Sequence, residues 1–313
     1  MAERITLQSA YGQALKELGS RYPNLVVLDA DLSKITQTVH FAKAFPDRFF
    51  NVGIAEQNLM AITAGLATTG MLPVANTYAC FATMRACEQI RTFLAYPNLN
   101  AKVVALSAGI EEGWSGVTHQ AIEDMAIMRV IPNMSVVAPS DAFLTKKATE
   151  AILAHRGPVY MRFGRNAFPL IHGENVSFTL GKAIQLREGK DVTLVACGIM
   201  VEKALRAAEI LEKERISARV LDMHTIKPLD EAAILAAAKE TSAIVSAEDH
   251  LVSGGLGGAI AEYLVGHWPV PLERIGLQDR FGETGHPDKL FEKYGMTDKH
   301  IAEAAKRAIA RKR

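Results

Sequence analysis

The chain has 313 residues, of which 49% are hydrophobic, and this length favours two domains. Its 35 lysines and arginines almost balance its 34 aspartates and glutamates, so no net basic field exists to attract nucleic acid or anionic lipid, and small molecules or proteins are the expected partners. The N-terminus lacks the apolar core of a signal peptide and no apolar run reaches the roughly 18 residues of a membrane helix, which favours a soluble, cytoplasmic protein.

In the first half of the chain, short runs rich in β-branched residues alternate with segments long enough to form helices. The runs are NLVVLDA, MLPVANTY, AKVVALSA, MSVVAPS and PVYMRF. This alternation predicts an α/β fold with a doubly wound, mostly parallel sheet that is buried on both faces. We expect this first domain to span residues 1–168.

A turn-rich, charged stretch over residues 169–189 predicts a linker that could carry a short hairpin. A second series of strands follows it, VTLVACG, ARVLDMH, SAIVSAED and LERIGL, and predicts a smaller α/β domain over residues 190–313. Within that domain Asp230 is expected to cap a helix. The glycine-rich residues 253–258 either bind phosphate or let a strand and a helix pack closely; they do not fit the GxGxxG pattern, which favours packing.

The stretch between Arg48 and Arg85 contains a single charged residue, Glu56. Apolar residues follow it on one helical face and small residues on a second, which predicts a helix without a charged side. Such a helix lies in a core or in an interface, and two interpretations of Glu56 remain open. It either stabilises the helix dipole at the surface, or it is a buried carboxylate that shares a proton with a ligand nitrogen.

Two downstream segments supply further candidates. Tyr78 and Phe81 follow a strand three residues apart, so their rings either pack in the core or face one slot. After the strand AKVVAL, a glycine-containing loop leads to a helix that Thr118 could cap, which places His119 at the start of that helix and at the carboxyl edge of the sheet. A histidine in that position is a candidate for acid–base chemistry or hydrogen bonding.

These motifs, in this order, resemble the C-terminal half of transketolase. GIAEQN resembles the family element whose glutamate contacts the aminopyrimidine of thiamine diphosphate, and TYACF resembles the motif whose rings hold that pyrimidine. GVTHQAIEDM, VLDMHTIKPLD, SGGLGG and DRFGETGHPDKLFEKYGMT are similar to later segments of the family. The resemblance covers almost the whole chain, and it implies a pyrimidine-binding domain over residues 1–168 and a transketolase C-terminal domain over residues 190–313.

The family's Gly-Asp-Gly and Asn-Asn motifs, which bind the diphosphate and its divalent metal, do not occur in this sequence. The resemblance therefore implies a split transketolase. In such an enzyme an α-type, N-terminal subunit would supply the diphosphate site and its Mg²⁺ or Ca²⁺. This chain would be the β-type subunit, and self-association through the pyrimidine domain would give an α2β2 assembly.

The resemblance also assigns roles to single residues. Glu56 would hydrogen-bond the pyrimidine N1′ and promote the 4′-imino tautomer that removes the thiazolium C2 proton, the step that makes the cofactor nucleophilic. His119 would contact the reacting carbonyl. The remaining cofactor contacts would be Asp31, Ile54, Tyr78, Phe81 and Met84, the last in place of a third aromatic residue.

At the substrate end, Arg4 and Arg165 match arginines that bind a terminal phosphate, and Arg162 competes with Arg165 for the second of these places. Ser107 stands where many family members have a phosphate-contacting histidine. Ser115 corresponds to an aspartate that reads a sugar hydroxyl. These departures leave the sugar or sugar-phosphate substrate open, with room for a modified, branched or sulfonated sugar.

The main hypothesis is therefore transfer of a two-carbon ketol unit from a ketose to an aldose. One alternative is the β-type half of a deoxyxylulose-phosphate synthase-like or 2-oxo acid decarboxylating enzyme, and the THQAIED run favours transketolase over it. Another is a non-catalytic regulatory subunit. The joint presence of Glu56, Tyr78, Phe81 and His119 argues against that alternative, because a scaffold would not need this set.

Overall fold

The computed structural model describes residues 4–312. Residues 1–3, at the start of the expected first domain, and residue 313, at the end of the second, lie outside the described residues. Within the described range the chain forms a seven-stranded sheet, a five-stranded sheet and a short two-stranded ribbon. None of the helices between residues 4 and 312 combines the length and apolarity needed to cross a lipid bilayer.

The strands are, in chain order, β1 (Arg4–Thr6), β2 (Leu25–Asp29), β3 (Phe49–Asn51), β4 (Leu72–Tyr78), β5 (Lys102–Leu106), β6 (Ser135–Val137), β7 (Val159–Arg162), β8 (Ala167–Pro169), β9 (Ile184–Arg187), β10 (Val192–Ala196), β11 (Ala218–Asp222), β12 (Thr225–Lys227), β13 (Ile244–Leu251) and β14 (Leu272–Leu277). The α-helices are α1 (Leu7–Gly19), α2 (Ser33–Thr36), α3 (Val39–Ala44), α4 (Glu56–Thr68), α5 (Cys87–Gln89), α6 (Asp124–Val130), α7 (Ala142–Ala154), α8 (Met200–Lys213), α9 (Glu231–Thr241), α10 (Leu256–His267), α11 (Pro287–Lys293) and α12 (Asp298–Ala310). Two 3₁₀ helices (Pro46–Arg48 and Ile110–Ser115) and two π-helices (Phe81–Arg85 and Ile90–Ala95) complete the regular structure.

The seven-stranded sheet has the order β12-β6-β7-β5-β4-β2-β3, and every pair is parallel except β12 with β6. Along β2, Val26 and Leu28 belong to one hydrophobic core while Leu25 and Val27 belong to another on the opposite face. Helices α4 and α6 contribute to the first core, and α1 and α7 contribute to the second. The predicted parallel sheet, buried on both faces because crossover helices cover it, is confirmed.

The five-stranded sheet has the order β14-β13-β10-β11-β9, with β9 as an antiparallel edge strand. The expected hairpin within residues 169–189 does not form. Instead β8 pairs with β1, and β9 joins the second sheet. Conversely, β12 belongs to the second half of the chain by sequence but pairs with β6 in the first sheet. The two halves are therefore interlocked, and the domain limits at residues 168 and 190 stay a prediction.

The glycine-rich start of α10 does not offer a phosphate site. The carboxylate of Glu248, which is fully buried, accepts hydrogen bonds from the backbone N–H groups of Leu256 at 2.7 Å and Gly257 at 2.8 Å. A Cβ atom at Gly255 would lie 2.0 Å from Glu248 Oε2, so this glycine is needed for close approach. Asp230 caps α9 as expected, because its Oδ1 accepts from the N–H of Ala233 at 3.2 Å.

Replacing Glu248 should lower the free energy of unfolding. Glu248→Ala leaves two buried N–H groups without an acceptor, and at about 1–3 kcal/mol for each group we expect the free energy of unfolding to fall by roughly 2–6 kcal/mol. Urea denaturation measures the change. Glu262→Ala, which removes an exposed partner of Arg129, is the matched control and should cost about 1 kcal/mol or less. Equal effects of the two variants would contradict the assignment.

Candidate active site

Most of the candidate side chains lie along one edge of the seven-stranded sheet. Strands β7, β5, β4 and β2 run parallel and side by side, so their carboxyl ends meet at the same edge. Asp31 follows β2, Tyr78 ends β4, Ser107 follows β5 and Arg165 follows β7. Residues that are far apart in sequence are thereby brought to one edge of the sheet.

Glu56 is the first residue of α4 and is only 2% exposed. The structure therefore favours the buried carboxylate over the surface dipole partner. Its Oε2 accepts a hydrogen bond from Arg85 Nη1 at 2.7 Å, and the side chain of Arg85 is 47% exposed. Glu56 thus forms an ion pair with the arginine that ends the apolar stretch, with the carboxylate inside and the guanidinium at the surface.

Three aromatic rings stand beside this pair. The ring centroids of Tyr78 and Phe81 are 5.8 Å apart, those of Tyr78 and His119 are 5.6 Å apart, and those of Phe81 and His119 are 5.1 Å apart. The guanidinium of Arg85 lies 4.1 Å from the centroid of Phe81, within cation–π range. Tyr78, Phe81 and His119 form a compact group, called here the aromatic group, which Arg85 connects to Glu56.

Arg85 was not among the residues that the sequence patterns singled out. Phe81 to Arg85 forms a π-helical turn, which places one extra residue in the turn. Arg85 then lies over Phe81, while Met84, expected in the pocket wall, is an exposed side chain. A signal was present in the sequence, because Glu56 and Arg85 are opposite charges separated by a stretch with no other charge.

Helix α4, in which Glu56 is the single charged residue, is buried on only one side within this chain. Leu59, Met60, Thr63 and Ala64 are buried, whereas the opposite side is open to solvent. Ile54, expected to line the pyrimidine pocket, is 76% exposed. It borders a surface depression whose lining also includes Ala55, Glu56, Gln57, Asn58 and Arg85. Of the two settings expected for this helix, a core or an interface, the core of this chain accounts for one face, and the open face lacks charged residues.

Asp31 has a left-handed backbone with φ of +62°. The Asn51 side chain holds it from two directions: Oδ1 accepts from the Asp31 N–H at 3.0 Å, and Nδ2 donates to Asp31 Oδ1 at 2.8 Å. Asn51 Oδ1 also accepts from the N–H of Gly53 at 3.0 Å, so the same amide orders the approach to Glu56. Asp31 is exposed, and its carboxylate is available to a ligand or to another chain.

The loop that carries His119 differs from the prediction. Thr118 does not cap a helix, because α6 begins at Asp124. The Thr118 hydroxyl is instead 3.0 Å from His119 Nδ1, and the His119 N–H donates to Gly116 O at 3.0 Å. Gln120 Nε2 donates to Glu283 O at 3.0 Å, which ties the loop to the C-terminal half of the chain. Local and long-range hydrogen bonds, and not a helix cap, hold this segment.

The two competing arginines occupy different environments. Arg162 is 5% exposed, and its Nε lies 3.2 Å from Asp124 Oδ2 while its Nη2 donates to Asp249 O at 3.1 Å. Arg165 has a side chain that is 45% exposed, and its Nη1 donates to Glu112 Oε1 at 2.9 Å. Arg162 is therefore buried and paired within the core, whereas the half-exposed side chain of Arg165 is accessible to a ligand.

Of the remaining substrate-binding candidates, Ser115 and Arg4 form hydrogen bonds within the chain. The Ser115 hydroxyl donates to Glu112 Oε1, and Arg4 donates to Ala167 O through Nε at 3.2 Å and Nη2 at 2.9 Å. Ser107 is fully buried with φ of +58°, and its hydroxyl has no hydrogen-bond partner within residues 4–312. The described residues also contain no cluster of three or more His, Cys, Asp or Glu side chains suited to a metal ion.

Glu111, in the 3₁₀ helix, was not predicted to matter but positions Arg165. It is 2% exposed and accepts from the backbone N–H groups of Arg165 at 2.5 Å and Asn166 at 2.7 Å. Burial raises the pKa of Glu111 to about 8, and the two N–H groups oppose this rise only in part. The neighbouring Asp249 accepts from the N–H groups of Ile110 and Glu111, and burial raises its pKa to about 6.

Comparison with known proteins gives two domain matches. Residues 3–170 match the transketolase pyrimidine binding domain, and residues 181–301 match the transketolase C-terminal domain. A solved structure described as a split gene transketolase, inactive β4 tetramer, superposes with a TM-score of 0.92 at 49% identity, over 99% of this chain and 100% of that chain.

Two further relatives are also transketolase subunits. The 6-deoxy-6-sulfo-D-fructose transketolase subunit of Clostridium sp. (strain MSTE9) is 45% identical over 98% of this chain and 95% of its own length. An apulose-4-phosphate transketolase subunit of Phocaeicola vulgatus is 37% identical over 96% of this chain and 96% of its own length.

The raised pKa of Glu111 should appear in the pH dependence of stability. The folded chain keeps a proton that the unfolded chain releases near pH 4, so the wild type loses stability as the pH rises from about 4 to about 8. Glu111→Gln cannot titrate. We expect the wild type's stability relative to this variant to decrease from about pH 5 to about pH 8, measured by urea denaturation. Glu150→Gln, at an exposed position, is the control, and the difference in free energy of unfolding between the wild type and this variant should not follow the same trend. A constant difference for Glu111→Gln would contradict the assignment.

Proposed function

Because the chain belongs to the transketolase family and matches the β-type half of a split transketolase, we propose that it is one subunit of a thiamine diphosphate-dependent ketol transferase. The reaction would move a two-carbon ketol unit from a ketose or ketose phosphate to an aldose. The observation that carries this proposal is the buried carboxylate of Glu56 beside the aromatic group. A carboxylate in such a place is poised to share a proton with a heterocyclic nitrogen.

These residues fit the pyrimidine end of the cofactor. Glu56 would hold the proton at N1′, and the rings of Tyr78 and Phe81 would pack against the flat heterocycle. Ile54 and Asp31 would complete the site at its exposed rim, and Met84 would contribute an apolar side chain. When bound, thiamine diphosphate supplies the carbon nucleophile that accepts the ketol unit.

A partner subunit would supply the rest of the site. The chain lacks the Gly-Asp-Gly and Asn-Asn sequences, so the diphosphate and its Mg²⁺ or Ca²⁺ would be held by an α-type chain. The open, uncharged face of α4 and the exposed Ile54 lie next to Glu56 and would provide an uncharged contact surface for a subunit. Self-association through the same domain would give an α2β2 assembly.

The substrate would enter between the aromatic group and Arg165. His119 would hydrogen-bond a carbonyl oxygen near the reacting centre. Arg165, half exposed and held by Glu112, would bind an anionic end group, with Arg4 as a second cation on the neighbouring ribbon of β1 and β8. Arg162 is the weaker candidate because it is buried and paired with Asp124.

Substrate selection would depend on two serines. Ser107 and Ser115 stand where many transketolases have a histidine and an aspartate, which weakens the case for an ordinary pentose phosphate and leaves room for a modified, branched or sulfonated sugar. The sulfonated sugar and the apulose phosphate named for two relatives belong to this class. A sulfonate and a phosphate share the oxygen geometry that a guanidinium binds.

The split-subunit proposal predicts that activity requires two chains. The purified chain alone should show no ketol transfer, whereas a complex with an α-type subunit that carries Gly-Asp-Gly and Asn-Asn should be active. Fructose 6-phosphate, xylulose 5-phosphate and 6-deoxy-6-sulfofructose are suitable donors, with release of the shortened aldose as the measurement. Turnover by the isolated chain would refute the division of the site.

The role of Glu56 predicts a large loss of activity in the assembled complex. Glu56→Gln keeps the shape of the side chain but cannot exchange a proton with N1′, so kcat should fall by about 10²–10⁴-fold. Glu150→Gln, which removes the carboxylate of an exposed pair with Arg21, is the matched control and should leave kcat unchanged. Near-normal turnover by Glu56→Gln would remove this residue from the mechanism.

A further inference from the structure

Arg85 makes two contacts with residues of the proposed cofactor site. Its guanidinium donates to Glu56 Oε2 at 2.7 Å and lies 4.1 Å from the centroid of Phe81. A planar guanidinium that stacks on a ring has little rotational freedom, and its fixed fork determines where the bonded carboxylate oxygen lies. The π-helical turn Phe81–Arg85 provides both contacts, because it brings the end of the turn back over its own first residue.

The charge balance around Glu56 depends on this arginine. A carboxylate that is 2% exposed needs a counter-charge or several hydrogen bonds to remain ionised. Among residues 4–312, Arg85 is the one side chain in ion-pair or hydrogen-bond contact with it. Within the same range no donor bonds the second oxygen, Oε1. One carboxylate oxygen is thus held in place and the other is left as an acceptor.

We propose that Arg85 is the positioning residue of Glu56: it orients the carboxylate so that Oε1 receives the proton-bearing N1′ of the pyrimidine. This inference rests on the proposed function and adds to it a residue that acts through Glu56. Arg85 itself does not contact the reacting atoms. Its half-exposed side chain lies at the depression that Ile54 and Glu56 also line.

A double-mutant cycle on the assembled α/β complex tests the coupling. The affinity of the apo complex for thiamine diphosphate is measured by calorimetry for the wild type, Arg85→Gln, Glu56→Gln and the double variant, and kcat is measured in parallel. Arg85→Gln should weaken cofactor binding by roughly 10–100-fold, the range typical of an outer partner that orients a ligand-binding group. In the Glu56→Gln background the same substitution should have little effect, because the two residues act as a unit.

Two further variants sharpen the result. Arg85→Lys keeps the charge but not the planar fork and should restore part of the affinity. It also serves as the test variant if Arg85→Gln does not assemble, which size-exclusion chromatography reports. Arg21→Gln breaks an exposed Arg–Glu pair of similar length, 2.6 Å, and should leave cofactor affinity unchanged.

Three outcomes would overturn the proposal. Unchanged affinity of Arg85→Gln would show that the ion pair has no role in the site. A loss that persists in full in the Glu56→Gln background would show that Arg85 acts independently of Glu56. Tighter binding by Arg85→Gln would make Arg85 a competitor of the cofactor. The proposed function fails separately, if the wild-type complex neither binds thiamine diphosphate nor transfers a ketol unit.

Discussion

The burial of Glu56 is the constraint on which the candidate site depends. A carboxylate removed from water is costly unless a cation or several donors compensate it. Here the compensation comes from Arg85, which has to lie within hydrogen-bond distance of a side chain that begins a different helix. The π-helical turn after β4 meets this requirement, and it also fixes Phe81 beneath the guanidinium. Helix start, turn type and ring position are thus coupled through one ion pair.

A second constraint comes from the parallel sheet. Because neighbouring strands run in the same direction, the residues that follow β2, β4, β5 and β7 are gathered at one edge. Cofactor candidates follow the first two of these strands and substrate candidates follow the last two. The order of strands in the sheet therefore sets the order in which the candidate residues lie along this edge, from Asp31 through Tyr78 to Arg165.

The second half of the chain forms hydrogen bonds to the loop that follows β5 at this edge of the sheet. Asp249 accepts from backbone N–H groups at the start of the Ile110–Ser115 helix, and Glu283 O accepts from Gln120 next to His119. Strand β12 crosses to pair with β6. At the same junction the buried Asp222 accepts from Ser140 and lies 2.9 Å from His172 Nε2. The hydrogen bond from Gln120 Nε2 to Glu283 O, with the local hydrogen bonds of Thr118 and His119, holds this loop without a helix cap.

The sequence by itself determined the features that depend on local pattern. The alternation of β-branched runs and helical segments predicted the parallel α/β fold. Helical periodicity predicted α4, whose single charged residue is Glu56, and residue preference predicted the cap at Asp230. Period and propensity act over neighbouring residues, so the sequence alone contains them. The motif order also led to Glu56, Tyr78, Phe81 and His119, and the structure brings them together. The packing decided what pattern could not: the pairing of Arg85 with Glu56, the commitment of Arg162 but not Arg165 to the core, and the exchange of β12 between sheets. These features depend on which distant groups meet and lose water together, and only the tertiary structure specifies that.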